Sequence, residues 1–437
     1  MNQAIKERIE KIKRGEVPEG YKTIGNIGII PVEWPEGVLS EVLYHEVRAV
    51  PKPTNAYWRL GLRSHAKGTF HELVQDPETV DMEELFEVKE NDLIVNITFA
   101  WEHAVAIASK EDEGKLVSHR FPTYVFNHGS SPQFFKYIVM QRWFRKLLEN
   151  ISPGGAGRNR VMSKPAFLKL PCYIPPLHEQ EKIAEILSTW DKAILLMENL
   201  IEEKKKQKKW LMQNLLNPDS GVRLPGFEGE WENTCLKDIV SIRKEKVNSQ
   251  VNTTNYYCIE LEHIESNTGR ILGYVSSQEQ LSTKTKFKRG DILFGKLRPY
   301  LRKVAIAPFD GVCSSEIWPF KVNRKISGIY LYYYMQSDKF IAAANIATGT
   351  KMPRADWSLL KDYLITFPSV KEQAAISDIL STNDKEINLL EQKLDQLQKQ
   401  KKALMQLLLT GIVRVTIYPA KGGEKNGKEY TPCCSEF

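Results

Sequence analysis

The side chains best suited to chemistry in this chain sit in short basic loops. The densest is FGKLRPYLRK, which gathers Lys296, Arg298, Tyr300, Arg302 and Lys303 around Pro299. Arginine and lysine reach base edges in a nucleic-acid groove, and the same cations hold phosphates. The alternative for such a loop is a solvated surface that touches nothing. YWRLGLRSHAKG carries Arg59, Arg63 and Lys67, with Gly61 and Gly68 placed to let the backbone approach a phosphate. Contact and plain surface are both open there. GGAGRNR sets Arg158, Asn159 and Arg160 behind glycines, and TGTKMPR ends on Lys351 and Arg354. No G-K-[ST] follows either loop, so both read as polynucleotide contacts and not as a nucleotide cradle.

Other chemistries find less support. Glu113-Gly114-Lys115, with Asp92 upstream, is a formal E-x-K nuclease match, but it arises often by chance and has no second copy. A methyltransferase of its own would need a glycine-rich cofactor loop and an N/D-P-P-aromatic motif, and neither is present. His103 reads as a satisfied polar residue. The six cysteines form no C-x-x-C pair and no zinc spacing, which suits reduced thiols in a cytoplasmic protein. With 437 residues, 42% hydrophobic and 26% charged, the composition is that of a globular protein of two or three domains, and a net charge of +7 suits an anionic partner. No run of 18 apolar residues offers a membrane span, and the charged N-terminus reads as helix and not as a signal peptide.

The elements that must position these loops announce themselves as a repeat. HEQEKIAEILSTWDK (178–192) returns as KEQAAISDILSTNDK (371–385). Aligned without gaps, Ile174–Leu216 and Phe367–Leu409 share 22 of 43 positions at an offset of 193. Leu187, Trp190, Ile194, Met197, Ile201, Leu211 and Leu215 keep 3–4 spacing, as do Leu380, Ile387, Leu390, Leu394, Leu397, Leu404 and Leu408. Lys204, Lys208, Asn383 and Lys401 interrupt the two stripes. A sustained stripe with charged flanks predicts two long helices that pair as a coiled coil.

The text between the copies is also related. ENDLIV answers to RGDILF, VSHRFPTYVFN to CSSEIWPFKVN, and an aromatic-rich helical stretch follows each. DLIVNITFA and KVAIAPF read as strands. The predicted order is a helical stub and lead-in (1–32), a first domain (33–173), a spacer helix and linker (174–229), a second domain (230–366), a second spacer helix (367–412) and a flexible tail (413–437). The fold class is α+β: two tandem α/β domains separated by two long antiparallel helices, in a nearly cyclic, pseudo-two-fold repeat.

At this point the chain resembles the DNA-specificity subunit of type I restriction–modification systems. The resemblance rests on the two I/F-P-x-x-x-E-Q-x-x-I helix starts, the two ILST-x-D phrases, and LMQNLL and LMQLLLTG at the helix ends. The lead-in GYKTIGNIGIIPVEWPEGVLSEV belongs to it too, and the likeness runs from about Gly20 to about Val415. It implies a non-catalytic subunit with two target-recognition domains, each reading half of an asymmetric bipartite site in double-stranded DNA, while the helices set the gap. It also implies two methyltransferase (modification) subunits and restriction–translocase subunits as partners. S-adenosylmethionine, ATP and Mg²⁺ would belong to those partners, with no cofactor in this chain. Glu179, Gln180, Asp191, Glu372, Gln373 and Asp384, repeated on the outward side of the stripes, are then candidates for docking the two methyltransferases. The competing readings are a stand-alone nuclease or methyltransferase, and a coiled-coil scaffold without a DNA role.

Overall fold

A local polar contact ends one of the predicted strands early. The computed structural model describes residues 3–154, 160–248, 254–280, 282–346 and 352–415. The apolar run from Asp92 is a strand only over Leu93–Val95. Asn96 stops it: its side-chain carbonyl accepts from the Thr98 amide at 3.1 Å and the Thr98 hydroxyl at 2.7 Å, which favours a turn over a ladder. The predicted strand over DLIVNITFA is thereby cut to a third of its length.

Contacts divide the chain into two units, Met1–Leu195 with Asp395–Phe437, and Leu196–Leu394. The division falls inside both long helices, Leu177–Leu215 and Val370–Leu409, of 39 and 40 residues. At ~1.5 Å per residue each helix is about 60 Å long.

In the first unit a four-stranded sheet runs in the order Leu43–Glu46, Thr123–Phe126, Leu93–Val95, Val105–Ile107. Beside it a five-stranded sheet runs Ala49–Pro51, Glu84–Glu87, Leu116–Val117, Tyr57–Leu62, Thr69–Val74. The second unit repeats both orders: Val240–Ile242, Ile317–Val322, Ile292–Gly295, Val304–Ile306, and then Lys246–Val247, Lys284–Phe287, Gly311–Cys313, Tyr257–Ile259, Val275–Ser276. Even the single parallel pairing in each five-stranded sheet recurs at the same place. The first unit also carries a helix predicted from the charged N-terminus, Gln3–Lys13.

Each core gathers aromatic side chains around the start of one long helix and the end of the other. In the first unit Trp34, Tyr124, Phe134, Phe135, Phe144 and Phe167 surround Leu187 and Leu408. In the second unit Phe294, Phe320, Tyr330 and Phe340 surround Leu380 and Leu215. Burying a side chain of this size stabilises by roughly 1.5–3 kcal/mol, so each helix is held mainly by its domain. Leu187 and Leu380, matched in the repeat, are both fully buried.

The charged residues that interrupt the stripes are each answered by acids on the facing helix. In the second unit Lys204 meets Glu386 at 2.8 Å, Lys205 meets Glu391 at 3.1 Å and Lys208 meets Asp384 at 2.6 Å. From Lys204 to Lys208 the partner steps back from Glu386 to Asp384, and Leu215 shares a core with Leu380, so the facing segments run in opposite directions. Lys401 meets Asp191 in the first unit in the same way.

Candidate nucleic-acid interface

Three segments converge at one end of each domain. The first is a tight turn between two strands. In the first unit it is a 3₁₀ turn, Ala100–Glu102, closed by His103 in the left-handed region (φ 68°). In the second it is Pro299–Leu301, with Arg298 and Arg302 both left-handed (φ 52° and 49°). A bulky residue at positive φ is strained, and persists only where surrounding contacts fix it.

Those contacts are specific. The Arg298 amide donates to the Pro353 carbonyl at 2.8 Å, and the Ala355 amide donates to the Lys296 carbonyl at 2.8 Å. A strap over residues 353–355 therefore holds the turn from one side. On the other side Arg302 donates from one guanidinium nitrogen to the Gln336 carbonyl at 2.6 Å and from the second to Asp338. Arg302 and then Gln213 hold the Asp338 carboxyl below its usual range. Lys303 donates to the Leu261 carbonyl at 2.8 Å. The Arg302 and Lys303 heads, expected to contact nucleic acid, are both engaged in fixing the turn.

What the turn presents outward is Lys296, Arg298 and Tyr300. Tyr300 is 48% exposed. Arg298 is exposed and Lys296 half-buried, and among the described residues neither side chain has a partner. Arg354 lies beside the turn, bridged to Leu297 by its backbone and to Glu316 through its Nε at 3.1 Å.

In the first unit the loop Arg63–Gly68 lies against the turn. The His65 and Ala66 amides donate to the carbonyls of Glu102 and His103 at 2.9 and 2.7 Å, and Ser64 donates to the Glu102 carboxylate at 2.7 Å. Lys67 is exposed in this loop. Arg160 lies over the Trp101 ring at 5.3 Å. Lys67, Arg160 and the turn are thus brought together. Arg59 and Arg63 stay within their own hairpin, Arg59 on Glu72 at 2.7 Å and Arg63 over the Phe70 ring and on the Thr69 carbonyl. Gly61 does not open the backbone to a phosphate: a Cβ there would lie 2.3 Å from the Phe70 ring that covers it. Arg158, Asn159 and Lys351 lie outside the described residues.

Sequence reasoning passed over two parts of this surface. One is the loop Glu265–Arg270, the second unit's counterpart of Arg63–Gly68, where the Asn267 amide donates to the Arg302 carbonyl at 3.4 Å. The other is Phe99, 41% exposed on the first turn. The signal for both lies in the repeat, but the backbone contacts that define them carry no sequence letters.

His103 and Arg302 occupy the same position. The His103 Nε2 lies 2.5 Å from the Val139 carbonyl, which makes that nitrogen the donor. Burial pushes its pKa below the ordinary histidine value. The unfolded chain takes up this proton near pH ~6.5, and the folded turn does so only at lower pH. This contribution is therefore full above the unfolded pKa and is lost as pH falls through the folded one. Wild-type protein is expected to lose urea stability as pH drops from about 6.5 toward about 5. His103→Gln, which can still donate to Val139, should lose distinctly less, and identical losses would show that His103 is not the sensitive group.

Of the six residues assigned to docking, four face inward, and Asp191 and Asp384 are half-buried. Glu179, Gln180, Glu372 and Gln373 are 5%, 0%, 1% and 0% exposed. Gln180 accepts from the Ser131 amide at 2.9 Å and donates to the Pro175 carbonyl at 2.7 Å; Gln373 does the same with Ser327 and Pro368, at 2.8 Å each. Each glutamine thus caps a domain helix, Pro132–Val139 or Gly328–Met335, onto the start of a long helix. Glu179 takes a two-pronged contact from Arg414 and Glu372 one from Arg223. Asp191 and Asp384 accept from Tyr137 and Tyr333 at 2.7 and 2.8 Å, besides their lysines. The sequence reading missed the burial because an acid and an amide in a helix's first turn look like surface until the domain that covers them is placed.

Asp92, the anchor of the nuclease match, is also accounted for. It takes two hydrogen bonds from Arg48, at 2.6 and 3.1 Å, and one from the Lys89 amide. Asp291 repeats this with Arg243 and the Lys288 amide, where no E-x-K exists. The carboxylate is a structural partner in both units. Among the described residues no helix is long and apolar enough to cross a membrane.

Comparison with known proteins places these features. The family model described as the type I restriction modification DNA specificity domain matches residues 75–205 and 228–399. The chain is 32% identical over 167 residues to the type I restriction enzyme EcoDI specificity subunit of Escherichia coli, covering 38% of this chain and 37% of that protein. It is 28% identical over 282 residues to the MjaVIII specificity subunit of Methanocaldococcus jannaschii, covering 58% and 64%. The matched stretch thus spans less than two thirds of either relative. The fold is similar to the crystal structure of a type I restriction–modification S subunit from M. genitalium, with a TM-score of 0.53, 14% identity, and coverage of 89% and 98%.

Proposed function

Since this chain belongs to the type I restriction modification DNA specificity family, we propose that it is the non-catalytic DNA-reading subunit of such a complex. Each unit reads one half of an asymmetric bipartite target. The observation that carries this is duplication with divergence: two units share sheet order, turn geometry and helix attachments, yet carry different exposed side chains on the turn. One frame with two chemistries suits two unlike half-sites. The two long helices act as an antiparallel coiled-coil spacer that fixes the gap, as dimer geometry does in repressors. Opposed ion pairs across the facing segments support that role. We assign S-adenosylmethionine, ATP and Mg²⁺ to the partner subunits, and the assembly to the cytoplasm.

The test uses the chain purified with and without its methyltransferase partner on genomic and random DNA. The expected result is adenine methylation at one bipartite motif with a constant gap, only when both proteins are present. Methyl transfer by this chain alone, or a motif with no gap, would overturn the reading.

Docking of two methyltransferase copies calls for a surface that occurs twice. Leu196 and Leu389 hold the same place in the two helices, at the repeat offset, and are 69% and 64% exposed. We expect Leu196→Asp to reduce the bound methyltransferase from two copies to one, and the double variant with Leu389→Asp to abolish binding, measured by the mass of the complex in solution. Two retained copies in the double variant would exclude this surface.

A further inference from the structure

The two turns share a set of backbone hydrogen bonds at matched positions although their sequences do not match, and they differ inside it, Phe99 lying at φ −125° where Arg298 lies at 52°. Ile97 and Lys296 enter it, their amides donating to the carbonyls of Arg120 and Glu316 at 2.9 Å each. Met162 and Ala355 strap it, donating to the carbonyls of Ile97 and Lys296 at 2.8 Å each. The amides of His103 and Arg302 close it, donating to Ala100 and Pro299 at 2.7 and 2.8 Å. Asn96 and Gly295 finish it, donating to Ala104 and Lys303 at 3.0 and 2.8 Å. His103 and Arg302 then each reach a carbonyl at the end of the following domain helix, Val139 and Gln336.

Inside this frame lie five residues that share no letter: Thr98-Phe99-Ala100-Trp101-Glu102 and Leu297-Arg298-Pro299-Tyr300-Leu301. The second position is exposed in both, Phe99 and Arg298, and the fourth is an aromatic ring, half-buried in Trp101 and exposed in Tyr300. Proline is admissible at the third, the first residue of the 3₁₀ turn, because an amide there has no partner within the turn. We propose that these five-residue inserts are the interchangeable specificity determinants of the two units, and that His103 and Arg302 are positioning residues that aim them.

The chemistry of each insert differs as two half-sites require. Arg298 offers a planar fork that suits guanine O6 and N7 in the major groove. Phe99 and Trp101 offer apolar surface, suited to a thymine methyl, with Arg160 over Trp101 supplying the nearby charge. Holding an arginine at φ 52° costs backbone energy that a solvated loop would release. Its retention, with no partner for the guanidinium among the described residues, fits a side chain that must be aimed.

The inference rests on the bipartite reading, and the experiment separates the two. Complexes with the methyltransferase are profiled on a random DNA library by mapping methylated adenines. If the unaltered complex shows no bipartite motif, the reading itself falls. Given the motif, three variants test the insert. Arg298→Gln should change one base of one half-site from guanine to adenine, with a shift in preference of about tenfold or more, since glutamine pairs with adenine as arginine does with guanine. Transplanting Leu297–Leu301 into positions 98–102 should make the first half-site take on bases of the second, the second staying unchanged. Arg302→Gln should blur several positions of one half-site without changing the preferred bases, an effect that mere loss of stability, acting on all sites alike, would not give. An unchanged motif in Arg298→Gln, or changes in both half-sites together, overturns the proposal; the single substitution carries the test if the transplant does not fold.

Discussion

Arg243→Ala is expected to destabilise the second unit by about 3 kcal/mol, a large share of the total for a domain. Asp291 is 4% exposed, and Arg243 meets it with two nitrogens. Removing the arginine leaves a carboxylate buried with, among the described residues, the Lys288 amide alone, at 2.7 Å, to hold it. An uncompensated buried charge costs far more than the pair ever contributed. The lost cation also ties the end of the four-stranded sheet to the turn that starts its central strand. Arg243→Lys should recover little, because a point charge cannot replace a two-pronged fork. Urea denaturation would show the midpoint falling for both variants at constant slope. Arg48→Ala should act alike through Asp92 in the first unit. A loss under about 1 kcal/mol, the scale of an exposed pair, would mean that water reaches these carboxylates.

The second large effect concerns recognition. Arg298→Ala should lose about 1–3 kcal/mol of discrimination at one base pair of one half-site, leaving the other half untouched. If the guanidinium reads a base edge, the salt dependence of binding changes little while selectivity falls. If it holds a phosphate, binding weakens evenly across sequences and the salt slope drops by about one unit. Competition binding at two salt concentrations distinguishes these outcomes. Loss at both half-sites would contradict domain-wise reading. Arg302→Ala should behave differently, because that side chain is tied to Gln336 and Asp338 and works through the shape of the turn.

Much of the architecture was legible because burial leaves a period in the sequence. Leu187 and Leu380 stand in a 3–4 stripe and prove to be core. The lysines that break the stripes could be seen, but not that Asp191 and Asp384 would face them. The repeat revealed its conserved acids and amides; it did not reveal Arg223 and Arg414, which lie beyond the aligned stretch and give the acids their purpose. The candidate site was half legible. Charge density picked out FGKLRPYLRK, yet charge cannot say which cations are occupied, and two of its five proved to be fasteners. The role of the first unit's turn is harder to read because that turn carries little charge, and its frame is built from amides and carbonyls, which every residue has.

Arg223 sits in the linker that follows the first long helix, whereas Arg414 follows the second; each seals the buried glutamate at the start of the opposite helix. These arginines thus follow the duplicated stretches directly, and the dissimilar domains lie between them. A genetic exchange within the duplicated stretch, say at the shared Leu-Ser-Thr, would splice residues through 189 onto those from 383. The product keeps one domain, one helix, and both Glu179 and Arg414 in a single short chain. Evolution can therefore trade or shed a whole domain without breaking a joint.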